Sequence, residues 1–185
     1  MKLLKYENSK LKQQYIFNLP VSKKICGREC PGCYALKAQI RFPNTVIPYR
    51  EARYDASLQD DFVDLVVTEL SSSRRSARAV RIHESGEFYS QEYIEKWLAI
   101  ATRLPDFNFY AFTKRIKDFE FTELMSLPNV VIIDSMMHGG LNYDRRPNLR
   151  LDIPICPSDT EICGVTCTYC QTKGAQKYGI QFERH

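Results

Sequence analysis

The sequence predicts an α/β fold, a mostly parallel sheet with helical crossovers that closes only part of a barrel. Three observations lead there. Strand-like and helix-like patterns alternate through the middle of the chain, the rhythm of a sheet whose strands are joined by helices. Val130-Val131-Ile132-Ile133 is an unbroken β-branched run, as expected of a strand covered on both faces. The length of 185 residues falls short of a complete eight-stranded barrel, which usually needs roughly 250, so about five or six core strands are expected.

The elements follow in order. Gln14 to Leu19 supplies the first core strand. Tyr54, Leu58, Phe62, Leu65 and Val66 mark one long amphipathic helix from about Arg50 to Leu70. Ala79 to His83 reads as a short strand, broken by Ser85-Gly86. Ser90 can cap a helix whose apolar positions Tyr93, Ile94, Trp97, Leu98 and Ala101 recur at three and four, and Pro105 ends it. The aromatic stretch Phe107 to Phe112 is the next strand. A short helix around Phe121, Leu124 and Met125 stops at Pro128. Val130 to Asp134 follows, and Leu149 to Ile153 has the pattern of a last strand. The aromatic stripe and Met136-Met137 read as packing. The whole chain, residues 1–185, forms one domain, with a cysteine-rich segment at 154–171 inside it.

Composition narrows the class. The chain is 44% apolar and 26% charged, which suits an ordinary core and excludes disordered and collagen-like proteins. No apolar run approaches the roughly 20 residues of a membrane span. The start, Met1 to Glu7, lacks the apolar stretch of a signal peptide, so a cytoplasmic protein with no membrane partner is expected. Net charge of +4 fits plain solubility. Basic clusters occur at Lys23-Lys24, at Arg74-Arg75 with Arg78 and Arg81, at Lys114-Arg115 with Lys117, and at Arg145-Arg146. They would suit nucleic acid if they converge.

The seven cysteines carry the chemistry. A cytosolic location disfavours lasting disulfides, and an odd count would strand one thiol. Cys26, Cys30 and Cys33 stand at C-x3-C-x2-C spacing. Cys163, Cys167 and Cys170 repeat it, with Cys156 upstream. A short loop of this kind can wrap an iron–sulfur cube and deliver one thiolate per iron, with glycine and proline turning the backbone close to it. Four thiolates close a cluster, whereas three leave one iron open. Zinc is the alternative, above all for the group of four. A three-cysteine zinc site would need a fourth ligand, and His83 is the nearest candidate; its other reading is a hydrogen-bonded core histidine. Cys156 could instead cross over and close the first group.

A strand, then the first cysteine spacing, then Tyr34-Ala35-Leu36-Lys37-Ala38 resembles the cluster-binding loop of radical S-adenosylmethionine (SAM) enzymes, which follows the first strand of their partial barrel. Arg81-Ile82-His83-Glu84-Ser85-Gly86-Glu87-Phe88 resembles the Gly-Gly-Glu-type motif after their second strand, placing Ser85, Gly86 and Glu87 at the SAM amino group. The fuller pattern is similar to a small phage-encoded, gene-product-88-like family of obscure function. It matches in Cys30-Pro31-Gly32-Cys33-Tyr34-Ala35, in His83 to Phe88, in Trp97, in Tyr110-Ala111-Phe112-Thr113-Lys114 and in the terminal cysteines, from about residue 15 to residue 171. Gly32 stands where radical SAM enzymes usually carry an aromatic residue, and Tyr169 holds that place in the second group. Only 15 residues follow Cys170, too few to build a barrel. The first group is therefore matched to the SAM-type cluster, the second to an auxiliary one.

The resemblance implies a shortened (β/α) barrel of the radical SAM type with two [4Fe-4S] clusters. It implies SAM as a further cofactor, an unknown substrate and an electron donor. Glu87 would accept hydrogen bonds from the SAM ammonium, its other reading being a solvated carboxylate. Lys114, and with weaker warrant Asp134 and Ser135, end strands at the same sheet edge, where ligands of parallel sheets gather. Beside this enzyme reading stand two binding readings. One is a non-catalytic iron–sulfur protein engaging a host or phage protein or nucleic acid. The other is a zinc-stapled binding module.

Overall fold

The computed structural model describes residues 2–30, 32–135, 156, 163–178 and 180. They form a mixed α/β fold on one five-stranded sheet, in spatial order β1 (Lys5–Tyr6), β2 (Gln14–Phe17), β3 (Ala79–Ile82), β4 (Asn108–Thr113) and β5 (Val130–Asp134). β1 runs antiparallel to β2, and the other neighbours are parallel. Register places Ile16, Arg81, Tyr110 and Val131 in one row across the sheet. Seven helices accompany it: α1 (Lys23–Cys26), α2 (Tyr34–Arg41), α3 (Pro43–Leu58), α4 (Phe62–Ser71), α5 (Gln91–Arg103), α6 (Thr122–Ser126) and α7 (Lys173–Tyr178).

Side chains alternate across a strand, so the sheet has two unlike faces. Tyr15, Phe17, Val80, Ile82, Phe109, Ala111, Val130 and Ile132 face the main core. There α5 presents Tyr93, Ile94, Trp97, Ile100 and Ala101, and α4 presents Phe62, Val66 and Leu70. Trp97 sits at the centre, its ring centroid 5.4 Å from Phe17, 5.9 Å from Phe62 and 6.2 Å from Phe109. α5 starts where Ser90 Oγ accepts the Tyr93 amide at 3.2 Å and ends at Leu104, before Pro105. Tyr110, Phe112, Val131 and Ile133 point the other way and pack with Ala175, Ile180 and the C-terminal cysteine segment.

Beyond β5 the sheet edge is covered by α7. Gln176 Oε1 accepts the Ile132 amide at 3.1 Å, and the Lys173 ammonium donates to the Met125 and Val130 carbonyls.

The long helix expected over Arg50–Leu70 is two helices. Gln59 is extended (φ −77°, ψ 153°), and the Lys96 ammonium donates to the Ser57 and Gln59 carbonyls, both at 3.1 Å. α3 therefore begins earlier, at Pro43, and buries Arg50, Arg53 and Ser57, while Leu58 and Leu65 stay exposed. Strand β1 adds a pairing that two residues of sequence do not announce. The expected strand at Leu149–Ile153, Met136-Met137 and Arg145-Arg146 lie outside the described residues. Among the described residues no helix is long and apolar enough to cross a membrane.

Candidate functional site

The first three cysteines occupy the turn that leaves β2. Ser22 caps α1 through its hydroxyl on the Ile25 amide, and Cys26 is the last residue of that single turn, buried beneath the loop. Cys33 is the N-cap residue of α2, its carbonyl taking the Lys37 amide at 3.1 Å, and its own amide donates to the Cys30 carbonyl at 3.2 Å. Cys30 and Cys33 are half-buried. Burial, first of all, holds the Cys26 thiol above its usual range; Glu87, Cys30 and Cys33 add to this, and a backbone hydrogen bond at Ser22 offsets part of it.

Loops after β3 and β4 complete this end of the sheet. Glu87 is 8% exposed, not the solvated carboxylate that a loop position suggests. Its Oε2 accepts the Thr113 hydroxyl at 2.8 Å and its Oε1 the Lys114 amide at 2.9 Å. Burial raises its carboxyl above the usual range, opposed by those two hydrogen bonds and by the charges of Lys114 and Arg115. The Lys114 ammonium donates to Cys30 Sγ at 3.4 Å, while the Arg28 guanidinium donates to the Lys114 carbonyl at 3.2 Å. Arg115 reaches the Ile25 carbonyl. Lys114 and Arg115 of one basic cluster thus meet Arg28 around one thiol loop.

The segment between β3 and α5 is pinned against β2. Asn18 Oδ1 accepts the amides of Glu84 and Ser85, and the buried Ser85 hydroxyl donates to the Leu19 carbonyl at 3.0 Å. Gly86 has φ +84° and sits so near Leu19 that an added Cβ would lie 2.5 Å from the Leu19 Cβ. Tyr34 Oη donates to the Glu84 carbonyl, joining α2 to the same loop. His83 is a core histidine: it is buried, its Nε2 lies 2.9 Å from Tyr93 Oη, and burial followed by the charge of Arg81 lowers its pKa to about 3. Ser135 is buried at the end of β5, its amide donating to the Thr113 carbonyl at 2.7 Å. Among the described residues no hydrogen bond links it to the thiol loop.

The second group lies on the sheet face opposite the main core. Cys163 accepts the Lys12 amide at 3.0 Å, and the Gly164 amide donates to the Cys167 carbonyl at 2.9 Å. Burial pushes the Cys170 thiol up to about 12; Cys163, Cys156 and Cys167 add to this, and Arg81 opposes it. Cys156 thus keeps company with Cys163, Cys167 and Cys170. Below them Tyr110 Oη donates to Gln14 Oε1. Gln14 is a contributor the sequence does not single out for this site, because register across the sheet brings it beneath Tyr110.

All seven cysteines are free thiols. Among the described residues no three His, Cys, Asp or Glu side chains stand ready to share one metal ion. The donor set is soft sulfur in two loops, a chemistry that iron–sulfur clusters and zinc share.

A family model described as gene product 88 matches residues 1–150. The match takes in the sheet and the first three cysteines, and ends before Cys156. No curated protein and no solved structure matches the chain.

Proposed function

The chain belongs to the gene product 88 family, and from that premise we propose that it is a phage-type iron–sulfur protein built like a shortened radical SAM enzyme. Cys26, Cys30 and Cys33 would hold a [4Fe-4S] cluster with one iron left for SAM, and the C-terminal four would hold an auxiliary cluster. One observation carries this reading: three thiols follow the end of the first parallel strand, and a buried carboxylate from the loop after the second accepts the amide of Lys114, whose ammonium donates to Cys30. When bound, and with an external one-electron donor, such a cluster would supply the reductive cleavage of SAM.

The chain's own residues do the holding. The Lys114 ammonium donates to the Cys30 sulfur and so sets a cation beside one donor of the loop. Glu87 uses two of the roughly four lone-pair sites of a carboxylate, so it can accept an ammonium as well. Tyr34 and Asn18 fix the loop that carries Glu87.

Anaerobic purification with iron and sulfide assays, then visible and electron paramagnetic resonance (EPR) spectra, tests the cluster. SAM added to the reduced protein should change the EPR signal and yield deoxyadenosine, and Cys26→Ala should abolish both. Stoichiometric zinc without iron would sink the reading.

A second reading is favoured by the same carboxylate. Both Glu87 oxygens are already engaged by Thr113 and Lys114, as in a fold that keeps the loop for shape. The chain would then be a non-catalytic iron–sulfur or zinc protein that binds another protein or nucleic acid, and SAM would leave its spectrum unchanged.

A further inference from the structure

A cleft of about 330 Å³ opens at the amino ends of β3 and β4, beside the last turns of α4 and α5. The first three cysteines follow the carboxyl end of β2, which runs parallel to β3, so the cleft lies at the opposite end of the sheet from them. Its floor is apolar, from the buried Leu104 and Phe107. Its rim carries Ser73, Asp106 and two guanidiniums, Arg78 and Arg103.

The loop between α4 and β3 is held by its side chains. Ser73 Oγ pairs with Tyr15 Oη. The Arg75 guanidinium lies 3.8 Å from the Tyr6 ring centroid, and that of Arg78 lies 5.1 Å from the Phe107 centroid. Tyr6, Tyr15 and Phe107 form a row, with successive centroids 5.4 and 6.3 Å apart. Aromatic faces therefore set both guanidiniums. Arg78 Nη1 also donates to the Arg75 and Ala77 carbonyls, at 2.8 and 3.0 Å. Across the cleft, Arg103 Nη1 is anchored on Asp64 Oδ1 at 2.6 Å. An arginine fixed through one nitrogen presents its other N–H donors in a rigid fork, which matches phosphate oxygens. Two helices ending here would by themselves disfavour an anion. At the α5 end Asn129 offsets this, its Nδ2 serving the Ala101, Leu104 and Phe107 carbonyls.

We propose that this cleft binds the phosphate of a ribonucleotide unit, either a free nucleotide or one link of an RNA strand. The forks of Arg78 and Arg103 take the phosphate oxygens, and Asp106 accepts a sugar hydroxyl, a group that inorganic phosphate lacks. The apolar floor suits the flat body of the ligand. The volume, at the small end of the roughly 300–1,000 Å³ of ligand sites, suits a single unit. Arg74 and Arg75, just before Arg78 in the chain, extend the positive charge towards the neighbouring phosphates of a strand. The inference stands apart from both readings of the cysteines, since among the described residues no cysteine lines the cleft.

The test titrates the full chain with uridine monophosphate by calorimetry and with a labelled oligouridylate by fluorescence anisotropy. Arg78→Gln with Arg103→Gln should weaken binding about tenfold and flatten its salt dependence, the mark of lost phosphate contacts. Lys37→Gln with Arg41→Gln removes the same charge from the exposed face of α2. It should change affinity less than about twofold. Circular dichroism checks each fold; if the first pair unfolds, Arg103→Gln alone should still weaken binding several-fold. An oligouridylate that binds no tighter than the mononucleotide assigns the site to a free nucleotide, and a tighter one assigns it to a strand; either result sustains the proposal. Binding of neither probe overturns it. Equal losses in the two charge-matched pairs do so as well, because they mark diffuse attraction to a basic surface. So does inorganic phosphate that competes as well as uridine monophosphate.

Discussion

The Lys114 ammonium donates to the Cys30 sulfur across 3.4 Å, from the end of a strand 84 residues further along the chain. The contact brings a cation to a thiol that a metal centre needs ionised. Lys114→Met should weaken metal binding at the first group by about 1–2 kcal/mol, the range for a part-exposed, charge-assisted hydrogen bond. Competitive metal titration in a Cys170→Ala background reads it. Unchanged affinity would show that the lysine is a bystander.

Glu87 ties the loop after β3 to the end of β4, and its carboxyl is raised by burial. A carboxyl with a raised folded pKa binds its proton more readily when folded than unfolded. Its contribution is then present in full below the ordinary carboxylate range and is lost as pH rises through the folded value. In the metal-free chain, the stability of wild type relative to Glu87→Gln should rise as pH falls from neutrality towards 4. Chemical denaturation at a series of pH values checks the sign; a flat difference would contradict the burial account.

His83 works in the opposite sense. Its folded pKa of about 3 lies below the unfolded value, so its stabilisation is present above the unfolded value and is lost as pH falls. Between the two values the fold should lose about 1.4 kcal/mol per pH unit on this account. His83→Gln should remove that slope, whatever it does to stability at neutral pH. Fluorescence of the single tryptophan, Trp97, buried against Phe17 and Phe62, follows the transition.

Two glycines should respond differently to alanine. At Gly86 the left-handed backbone and the Leu19 main chain leave no room, so Gly86→Ala should cost at least about 2 kcal/mol of global stability. At Gly164, φ is +88° and the added carbon would strike the Lys12 carbonyl and the Gln14 amide. That contact docks only the C-terminal loop, so Gly164→Ala should leave the main transition nearly in place. It should release the Lys12 amide, bonded to the Cys163 carbonyl, to rapid hydrogen exchange. Loss of the whole fold in Gly164→Ala would show the loop to be integral to the core.

How far the sequence could be read follows from how local each determinant is. The strands β2 to β5 and helix α5 are written in contiguous apolar runs and in Ser90, so they are legible residue by residue. The break between α3 and α4 is not, because apolar spacing continues across Gln59 and the interrupting group is Lys96, 37 residues away. The spacing of Cys26, Cys30 and Cys33 is likewise local. The cation beside Cys30, Lys114, arrives by way of the β4 terminus, and Arg81 reaches the opposite face by a register that sets it beside Ile16 and Tyr110. The Gln14 to Tyr110 hydrogen bond spans 96 residues and has no trace in either segment.

The helix that covers the edge of β5 is made late. Lys173 reaches back 43 residues to the Val130 carbonyl, and chains emerge from the ribosome N-terminus first. A nascent chain therefore presents a finished β-branched edge before its cover exists, and such an edge is a template for pairing with another chain. The four-cysteine segment is translated in that same interval. Completing the cysteine-rich tail and protecting the newborn sheet from its neighbours are thus one event, and a product arrested short of α7 carries its own signal for aggregation and removal.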